Sequence, residues 1–367
     1  MPIDATVFRS RRDRAAQRAR SRDLAALLVT PGSDLAYLTG HRIHESERLT
    51  CLVLTADGSA TLVVPELEAP RARAAAPGLE LRLWSETEDP IAAAAALVPR
   101  GRAIAVGERM WASFLLRLQA TLPDRTFCPA APVVAPLRAI KDASELAALR
   151  AVAQSADRAY TRVRELVFEG RTEREVGADI AALLGEEGHD EVTFTIVGSG
   201  PNGASPHHNA GERRIARGDA IVLDFGGTMA WYCSDITRTV HVGPPSAETV
   251  RVHDAVRKAQ EAGYKAAREG VAAQDVDAAA RTVIDEAGYG TYFIHRLGHG
   301  IGLDGHEDPY LVRGNSEPLV PGMAFSIEPG IYLPGKFGVR IEDIAVLNDK
   351  GVAEPLNEVD RSLAVVS

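Results

Sequence analysis

Ala220-Ile-Val-Leu-Asp224-Phe-Gly-Gly-Thr-Met-Ala-Trp-Tyr-Cys-Ser-Asp235-Ile-Thr-Arg-Thr-Val240 is the most informative stretch of this chain. Four apolar residues lead into Asp224, so its carboxylate ends a segment apolar enough to be buried. A buried carboxylate must be paired, protonated or bound to a cation. Asp235 opens a second strand-like run eleven residues on. In a regular hairpin with an even-numbered loop, this odd separation lets positions 224 and 235 sit directly opposite each other. Their side chains would then share one face, with Cβ atoms about 5 Å apart. Thr237 and Thr239 would follow Asp235 on that face. Two like charges so placed repel unless a cation lies between them, and a β-bulge would cancel the geometry.

The pattern recurs downstream. Glu328 ends Ala324-Phe-Ser-Ile-Glu328 and is stopped by Pro329-Gly330, and Glu342 interrupts Val339-Arg-Ile-Glu342-Asp-Ile. Arg340 lies two residues before Glu342 and points the same way. His299 is a fifth candidate, in His295-Arg-Leu-Gly-His299-Gly-Ile-Gly-Leu-Asp-Gly-His306-Glu. The glycines there disfavour a helical i, i+4 histidine pair, and the His-Glu-x-x-His motif is absent. Four carboxylates and one imidazole suit two divalent cations such as Mn²⁺ better than one structural Zn²⁺. Two such ions about 3.5–4 Å apart can activate a water and clamp a carbonyl oxygen. Taken singly, an Asp or Glu is usually a surface charge and a His a satisfied bystander. Spacing alone does not separate a ligand set from that ordinary case. Gly198-Ser-Gly200-Pro-Asn-Gly203 and Gly300-Ile-Gly302-Leu-Asp-Gly305 both match a dinucleotide fingerprint. Neither opens a helix, because Pro206 and Pro309 follow too soon, so a dinucleotide site is not expected.

Around these motifs the chain divides in two. Residues 24–30 predict a strand closed by Pro31-Gly32. Residues 50–55 and 60–64 predict a hairpin, 90–98 and 111–122 helices, and 103–106 a strand between them. This is a mixed α/β domain. Pro129, Pro132 and Pro136 are expected to break the chain, which places a boundary near 137–141, with domains 1–138 and 139–367. A long helix is expected from Lys141-Asp142-Ala143-Ser144 to about Glu169. A second begins at the capping box Thr172-Glu173-Arg174-Glu175 and ends near Gly188. Strands follow at 192–197, 220–224 and 235–242. Helices at about 246–269 and 275–287 come next, then strands near 324–328 and 339–347. Helices followed by carboxylate-bearing strands, twice over, imply a duplicated α+β unit.

Composition narrows the function. A chain of 367 residues suits two domains. Apolar residues make up 46% and charged residues 25%, which is ordinary globular composition. The net charge of −9, from 41 basic and 50 acidic residues, disfavours a broad hold on nucleic acid or an anionic membrane. The longest uncharged apolar run, 91–98, is too short to span a bilayer. Cys51, Cys128 and Cys233 are widely separated and imply a reducing, cytoplasmic setting. The N-terminus lacks the apolar core of a secretory signal. Seven arginines between Arg9 and Arg22 could belong to a presequence, but Asp4, Asp13 and Asp23 argue for one solvated helix face.

The motifs together resemble the metallopeptidases of the pita-bread fold, the Xaa-Pro aminopeptidases and Xaa-Pro dipeptidases (prolidases). The matching segments are Asn202-Gly-Ala-Ser-Pro-His207-His208, Asp224-Phe-Gly-Gly through Tyr232 to Asp235-Ile-Thr-Arg-Thr, the 295–307 run, Ser326-Ile-Glu328-Pro-Gly-Ile-Tyr332, and Gly338-Val-Arg340-Ile-Glu342-Asp. Asp23-Leu-Ala-Ala-Leu-Leu-Val-Thr and Asp34-Leu-Ala-Tyr-Leu-Thr-Gly resemble the creatinase-type N-terminal domain more loosely. The resemblance implies two divalent metals, Mn²⁺ before Co²⁺, Zn²⁺ or Fe²⁺, on Asp224, Asp235, His299, Glu328 and Glu342. It implies that His207 and His306 contact the substrate and that Glu328 carries a proton to the leaving nitrogen. His295, Tyr232, Arg340 and Thr237 take supporting positions, and His208 carries little weight. The implied substrate is a peptide or dipeptide with proline second, and the implied assembly a homodimer. A methionine aminopeptidase, a metal-free creatinase-like hydrolase and a non-catalytic binding protein are the alternatives.

Overall fold

Residues 5–101 and 103–367 are described by a computed structural model of the chain. Asp4, weighed above against a presequence, lies outside them. Contacts divide the chain into two units, Met1–Arg138 and Ala139–Ser367.

The first unit runs α1 (Ala5–Arg20), β1 (Leu24–Val29), α2 (Ser33–Thr39), β2 (Cys51–Thr55), β3 (Ala60–Pro65), α3 (Ala69–Ala75), β4 (Glu80–Trp84), α4 (Pro90–Ala96), β5 (Ala103–Val106), α5 (Ala112–Thr121), β6 (Thr126–Pro129) and α6 (Ala131–Ala139). Its strands form one mixed sheet in the order β4-β3-β2-β1-β5-β6. Two expectations fail here. The arginines of α1 do not form one solvated face: Arg11 is 1% exposed, and its guanidinium lies 4.2 Å from the centre of the Tyr37 ring. Nor do all the prolines end regular structure: Pro129 closes β6, but Pro136 sits inside α6. Its missing N–H frees the Pro132 carbonyl. Arg18 Nη2 donates to that carbonyl at 3.3 Å, and Arg18 Nε to the Val133 carbonyl at 3.1 Å.

The second unit opens with α7 (Ala143–Val163) and α8 (Glu173–Glu186), each started by a capping box, Asp142 with Glu145 and Thr172 with Glu175. α7 ends at Val163, short of the expected Glu169, because Phe168 turns back into the core and its N–H donates to the Ser367 carbonyl at 2.6 Å. Then come β7 (Glu191–Ser199), β8 (Ala220–Met229), β9 (Tyr232–Cys233), β10 (Ile236–Val242), α9 (Ala247–Ala266) and α10 (Ala273–Glu286). The chain closes with β11 (Gly298–Gly300), β12 (Glu307–Leu311), β13 (Ala324–Ile327), β14 (Gly330–Leu333), β15 (Phe337–Arg340), β16 (Asp343–Leu347), β17 (Ala353–Pro355) and β18 (Ala364–Val366).

Two sheets, β18-β10-β8-β7 and β12-β11-β13-β16-β17, are joined by the ribbon β14-β15. Each helix pair covers one sheet. Tyr160, Val163, Val176 and Ile180 pack on Leu223, Phe225, Ile236 and Val240. Val252, Val256, Val276 and Ala280 pack on Phe325, Ile327, Ala345 and Leu347. The single strand expected over 339–347 is two strands. β15 belongs to the ribbon and β16 to the second sheet, so the chain changes sheets at Ile341-Glu342. Among the described residues, no helix is long and apolar enough to cross a membrane.

Candidate metal centre

Strand β8 is buried on both faces. Leu223 and Phe225 join the apolar cluster under α7 and α8, so Asp224 between them points to the opposite face. On β10, Ile236 and Val240 join the same cluster, which leaves Thr237 and Thr239 on the face of Asp224. The register differs from the expected one. Thr237, not Asp235, lies opposite Asp224. Asp235 precedes β10 and stands diagonal to Asp224 on the same face. The cause is local. β8 and β9 close on the two-residue turn Ala230-Trp231, whose φ values are 48° and 79°. Such hairpins need positive φ at their central residues, which Asn-Gly announces and Ala-Trp does not. Asp190 Oδ2 accepts the Ala230 N–H at 2.7 Å and holds the turn.

The diagonal pair still meets the distant candidates. Ligand atoms of Asp224, Asp235 and Glu342 lie within 4.8 Å of one another. The same holds for His299, Glu328 and Glu342, and for Asp235, His299 and His306. Glu342 enters from the joint between β15 and β16. Its N–H donates to the Thr237 carbonyl at 3.0 Å, and its Oε2 accepts from Thr237 Oγ1 at 2.7 Å. Glu328 follows β13, where Ser326 Oγ donates to its Oε1 at 3.2 Å and accepts the His299 N–H at 3.0 Å.

His299 Nδ1 lies 3.1 Å from the Gly300 carbonyl, which can only accept, so the ring proton is on Nδ1. Nε2 then presents a lone pair 3.3 Å from Glu328 Oε1 and 3.8 Å from Asp235 Oδ2. These are ion-pair distances without an ion pair. Burial, reinforced by His306, pulls the ring down to about 3, so it is neutral. Asp224 Oδ1, Asp235 Oδ1 and Glu342 Oε1 are buried without a hydrogen-bond partner. Convergent unpaired acceptors need either protons or a cation between them. An oxygen-rich set with one imidazole fits divalent cations.

In the metal-free protein, protons take the cation's place. Burial, then Asp224 and Glu328, holds the Asp235 carboxyl well above the usual carboxylate range. Burial, then Asp235, Glu328 and Asp224, does the same to Glu342. Burial lifts Glu328 to about 7 against the opposing charge of Arg340. A raised folded-state pKa stabilises the fold below the unfolded value, and that contribution is lost as pH climbs through the folded value. The melting temperature of metal-free protein should therefore fall as pH rises from about 5 to about 8. An added divalent cation should raise it most at the alkaline end, because such ions bind deprotonated ligands. Circular-dichroism melts check this, and a metal-free melting point that climbs over the same range would contradict it.

Arg340 anchors the surroundings. It donates to Asp224 Oδ2 at 2.6 Å, Tyr332 Oη at 2.7 Å, Thr237 Oγ1 at 3.1 Å and the Pro206 carbonyl at 3.3 Å. Burial opposes its charge, but Tyr332, Asp224, Glu342 and Glu328 outweigh burial and keep it protonated. His295 Nδ1 donates to the Arg296 carbonyl at 2.7 Å, so its Nε2 accepts from Tyr332 Oη at 2.9 Å. Burial and Arg340 hold that ring neutral, at about 3. Arg296 Nη2 donates to His306 Nδ1 at 3.1 Å, which leaves the His306 proton on Nε2. The His306 ring centre lies 3.8 Å from that of His299. His207 is exposed on the turn after β7, in the neighbourhood of both His295 and His306. Tyr232 has a different setting. Its ring packs in the cluster of Leu149, Val152 and Ile344, and its hydroxyl donates to Glu145 Oε1 at 3.1 Å.

Sequence reasoning overlooked Tyr332, Arg296, Ser326 and Glu173. Tyr332 left a faint signal in flanking glycines: a Cβ on Gly330 would come within 2.5 Å of its hydroxyl, and one on Gly338 within 3.0 Å of its ring. Glu173 lay hidden inside a capping box that uses Glu175.

Paired helix-and-sheet halves enclosing a carboxylate–imidazole cage, in a chain that also carries a separate α/β domain, define a metal-dependent hydrolase of the pita-bread fold. Residues 147–349 match metallopeptidase family M24, and residues 11–140 match the creatinase/prolidase N-terminal domain. The chain belongs to metallopeptidase family M24 and is a metallo-exopeptidase. The probable dipeptidase PepE of Mycobacterium tuberculosis is 46% identical over 369 residues, covering 99% of this chain and 98% of that protein. The crystal structure of dipeptidase PepE from Mycobacterium ulcerans is similar with a TM-score of 0.94 and 44% identity, covering 100% of each chain. A prolidase from Thermococcus sibiricus follows at 0.93 and 39%, covering 99% of this chain and 100% of that one.

Proposed function

We propose that this enzyme hydrolyses the peptide bond between an N-terminal residue and a following proline, with dipeptides as its first substrates. The observation that carries the reading is the convergence of unprotonated His299 Nε2 with buried, unpartnered oxygens of Asp224, Asp235 and Glu342. The names of the similar dipeptidase and prolidase support the substrate class. Asp224, Asp235, His299, Glu328 and Glu342 would hold two divalent cations, Mn²⁺ first among them. Such ions, when bound, supply Lewis acidity and acidify water into a nucleophile.

The remaining work belongs to the protein. His306, its Nδ1 occupied by Arg296, offers Nε2–H to the scissile carbonyl oxygen. His207 reaches the same region from the opposite loop. Glu328 has Oε1 held by Ser326, which leaves Oε2 to receive the water proton and pass it to the proline nitrogen. Thr237 fixes the Glu342 carboxylate. The Arg340–Tyr332–His295 chain fixes which atom of each group carries a proton. Tyr232 braces the turn that delivers Asp235 by tying β9 to α7. A prolyl amide has no N–H to recognise, so a dedicated site must locate it by shape and by its carbonyl.

The test strips the protein of metal, resupplies single cations, and offers Ala-Pro, Xaa-Pro-Xaa tripeptides and Met-led peptides without proline. Proline release from Ala-Pro should require added metal and run fastest with Mn²⁺. Preferential cleavage of the Met-led peptides would replace this reading with a methionine aminopeptidase. Turnover by protein shown metal-free by elemental analysis would end it.

A further inference from the structure

Glu173 is the first helical residue of α8, yet its side chain is fully enclosed. Its Oε1 accepts from Ser199 N at 2.9 Å, Ser199 Oγ at 2.7 Å and Asn202 Nδ2 at 3.0 Å. Its Oε2 accepts from Asn202 Nδ2 at 3.1 Å, His208 Nε2 at 2.7 Å and Gly211 N at 3.3 Å. Burial would raise its pKa, but the bonds from Ser199, His208 and Asn202 outweigh burial and hold it below the usual range. The N-terminal end of α8 favours the same negative charge. The false dinucleotide fingerprint at 198–203 thereby finds its use. The glycine-rich turn wraps a carboxylate of the protein itself, not a phosphate.

The far side of this loop is fixed independently. The Pro206 carbonyl accepts from Arg340 Nη2 at 3.3 Å. Gly203 and Gly338 are pressed together so closely that a Cβ on Gly338 would lie 1.8 Å from the Gly203 carbonyl oxygen. The two neighbours of His207 therefore hang on different anchors, Pro206 on Arg340 and His208 on Glu173. His207 itself is exposed between them.

We propose that Glu173 is a positioning residue for His207, acting through His208 and the 199–211 backbone to hold that imidazole at the scissile bond. This rests on the substrate-contacting role proposed above for His207. Pre-set geometry of this kind matters because a displacement of about 1 Å near the reacting atoms can cost about 100-fold in rate. Glu173→Gln puts an N–H₂ where donors already point, so the loop loses half of its anchor.

The experiment is a double-mutant cycle on metal-loaded full-length enzyme with Ala-Pro. Glu173→Gln should lower kcat about 10- to 100-fold with little change in KM, and His208→Ala about 3- to 10-fold. His207→Ala alone should also lower kcat. Glu173→Gln added to His207→Ala should change kcat by less than about 2-fold, because the group being positioned is gone. Elemental analysis should show the metal content of both Glu173 and His208 variants unchanged. Should Glu173→Gln fail to fold, His208→Ala, at a more open position, runs the same cycle. Full multiplication of the two effects overturns the positioning role while leaving His207 in place. Wild-type kcat in His207→Ala overturns the role of His207 and this proposal with it.

Discussion

Asp235→Asn should abolish peptide hydrolysis while the protein stays folded, and Glu342→Gln should do the same. The expected loss in kcat/KM is about 1000-fold or more, because either change would take a negative charge from the ligand set proposed for the cations. The structural cost should be small or of opposite sign. Asp235 Oδ1 and Glu342 Oε1 have no hydrogen-bond partner in the fold, so an amide of equal size forfeits nothing there. Burial and the neighbouring carboxylates already disfavour ionisation of both groups, so a neutral side chain relieves repulsion. The metal-free variants should melt at or above the wild-type temperature while holding fewer metal ions by elemental analysis. Near-normal turnover in either variant removes that residue from the ligand set. A large drop in metal-free stability would recast it as a structural group.

Arg340→Met should be damaging in both respects. The guanidinium is the cationic partner of buried Asp224, and it also donates to Tyr332, Thr237 and the Pro206 carbonyl. Removing one partner of a buried ion pair typically costs about 3–5 kcal/mol, since the other charge is left stranded. The loss should be largest in metal-free protein, where no cation takes over Asp224. Rates should fall about 100-fold, because Tyr332, His295 and the His207 loop all lose a fixed point. Arg340→Lys should recover little: one ammonium cannot span acceptors set out for a planar fork. Urea unfolding with and without Mn²⁺ measures the first effect and Ala-Pro kinetics the second. A destabilisation under about 1 kcal/mol would show that Arg340 is not the counter-charge of Asp224.

Much of the secondary structure was legible because its causes are local. The capping pattern Thr172 to Glu175 started α8 as expected, and the hairpin from β2 to β3 fell within a residue of its forecast. Where the forecast missed, the cause lay far along the chain. α7 stops early because Phe168 is needed in the core and its N–H finds the last carbonyl of the chain. Pro136 survives inside α6 because Arg18 reaches the carbonyl it frees. Arg11 is buried because Tyr37 receives it, which a count of arginines in α1 does not reveal.

Residue types alone determined that acidic groups and one imidazole end or interrupt apolar strands, and that such groups need a common partner once buried. Which of them meet, and in what register, came from the folded chain. Ala230-Trp231 closes a turn that composition does not announce, and this sets Thr237 against Asp224 and moves Asp235 to the diagonal. The crossing from β15 to β16 brings Glu342 onto Thr237, and the 199–211 loop takes its shape from Glu173. The physical reason is one of range. Caps and turns depend on bonds spanning a few residues, whereas register and convergence depend on packing between segments that no short window of sequence contains.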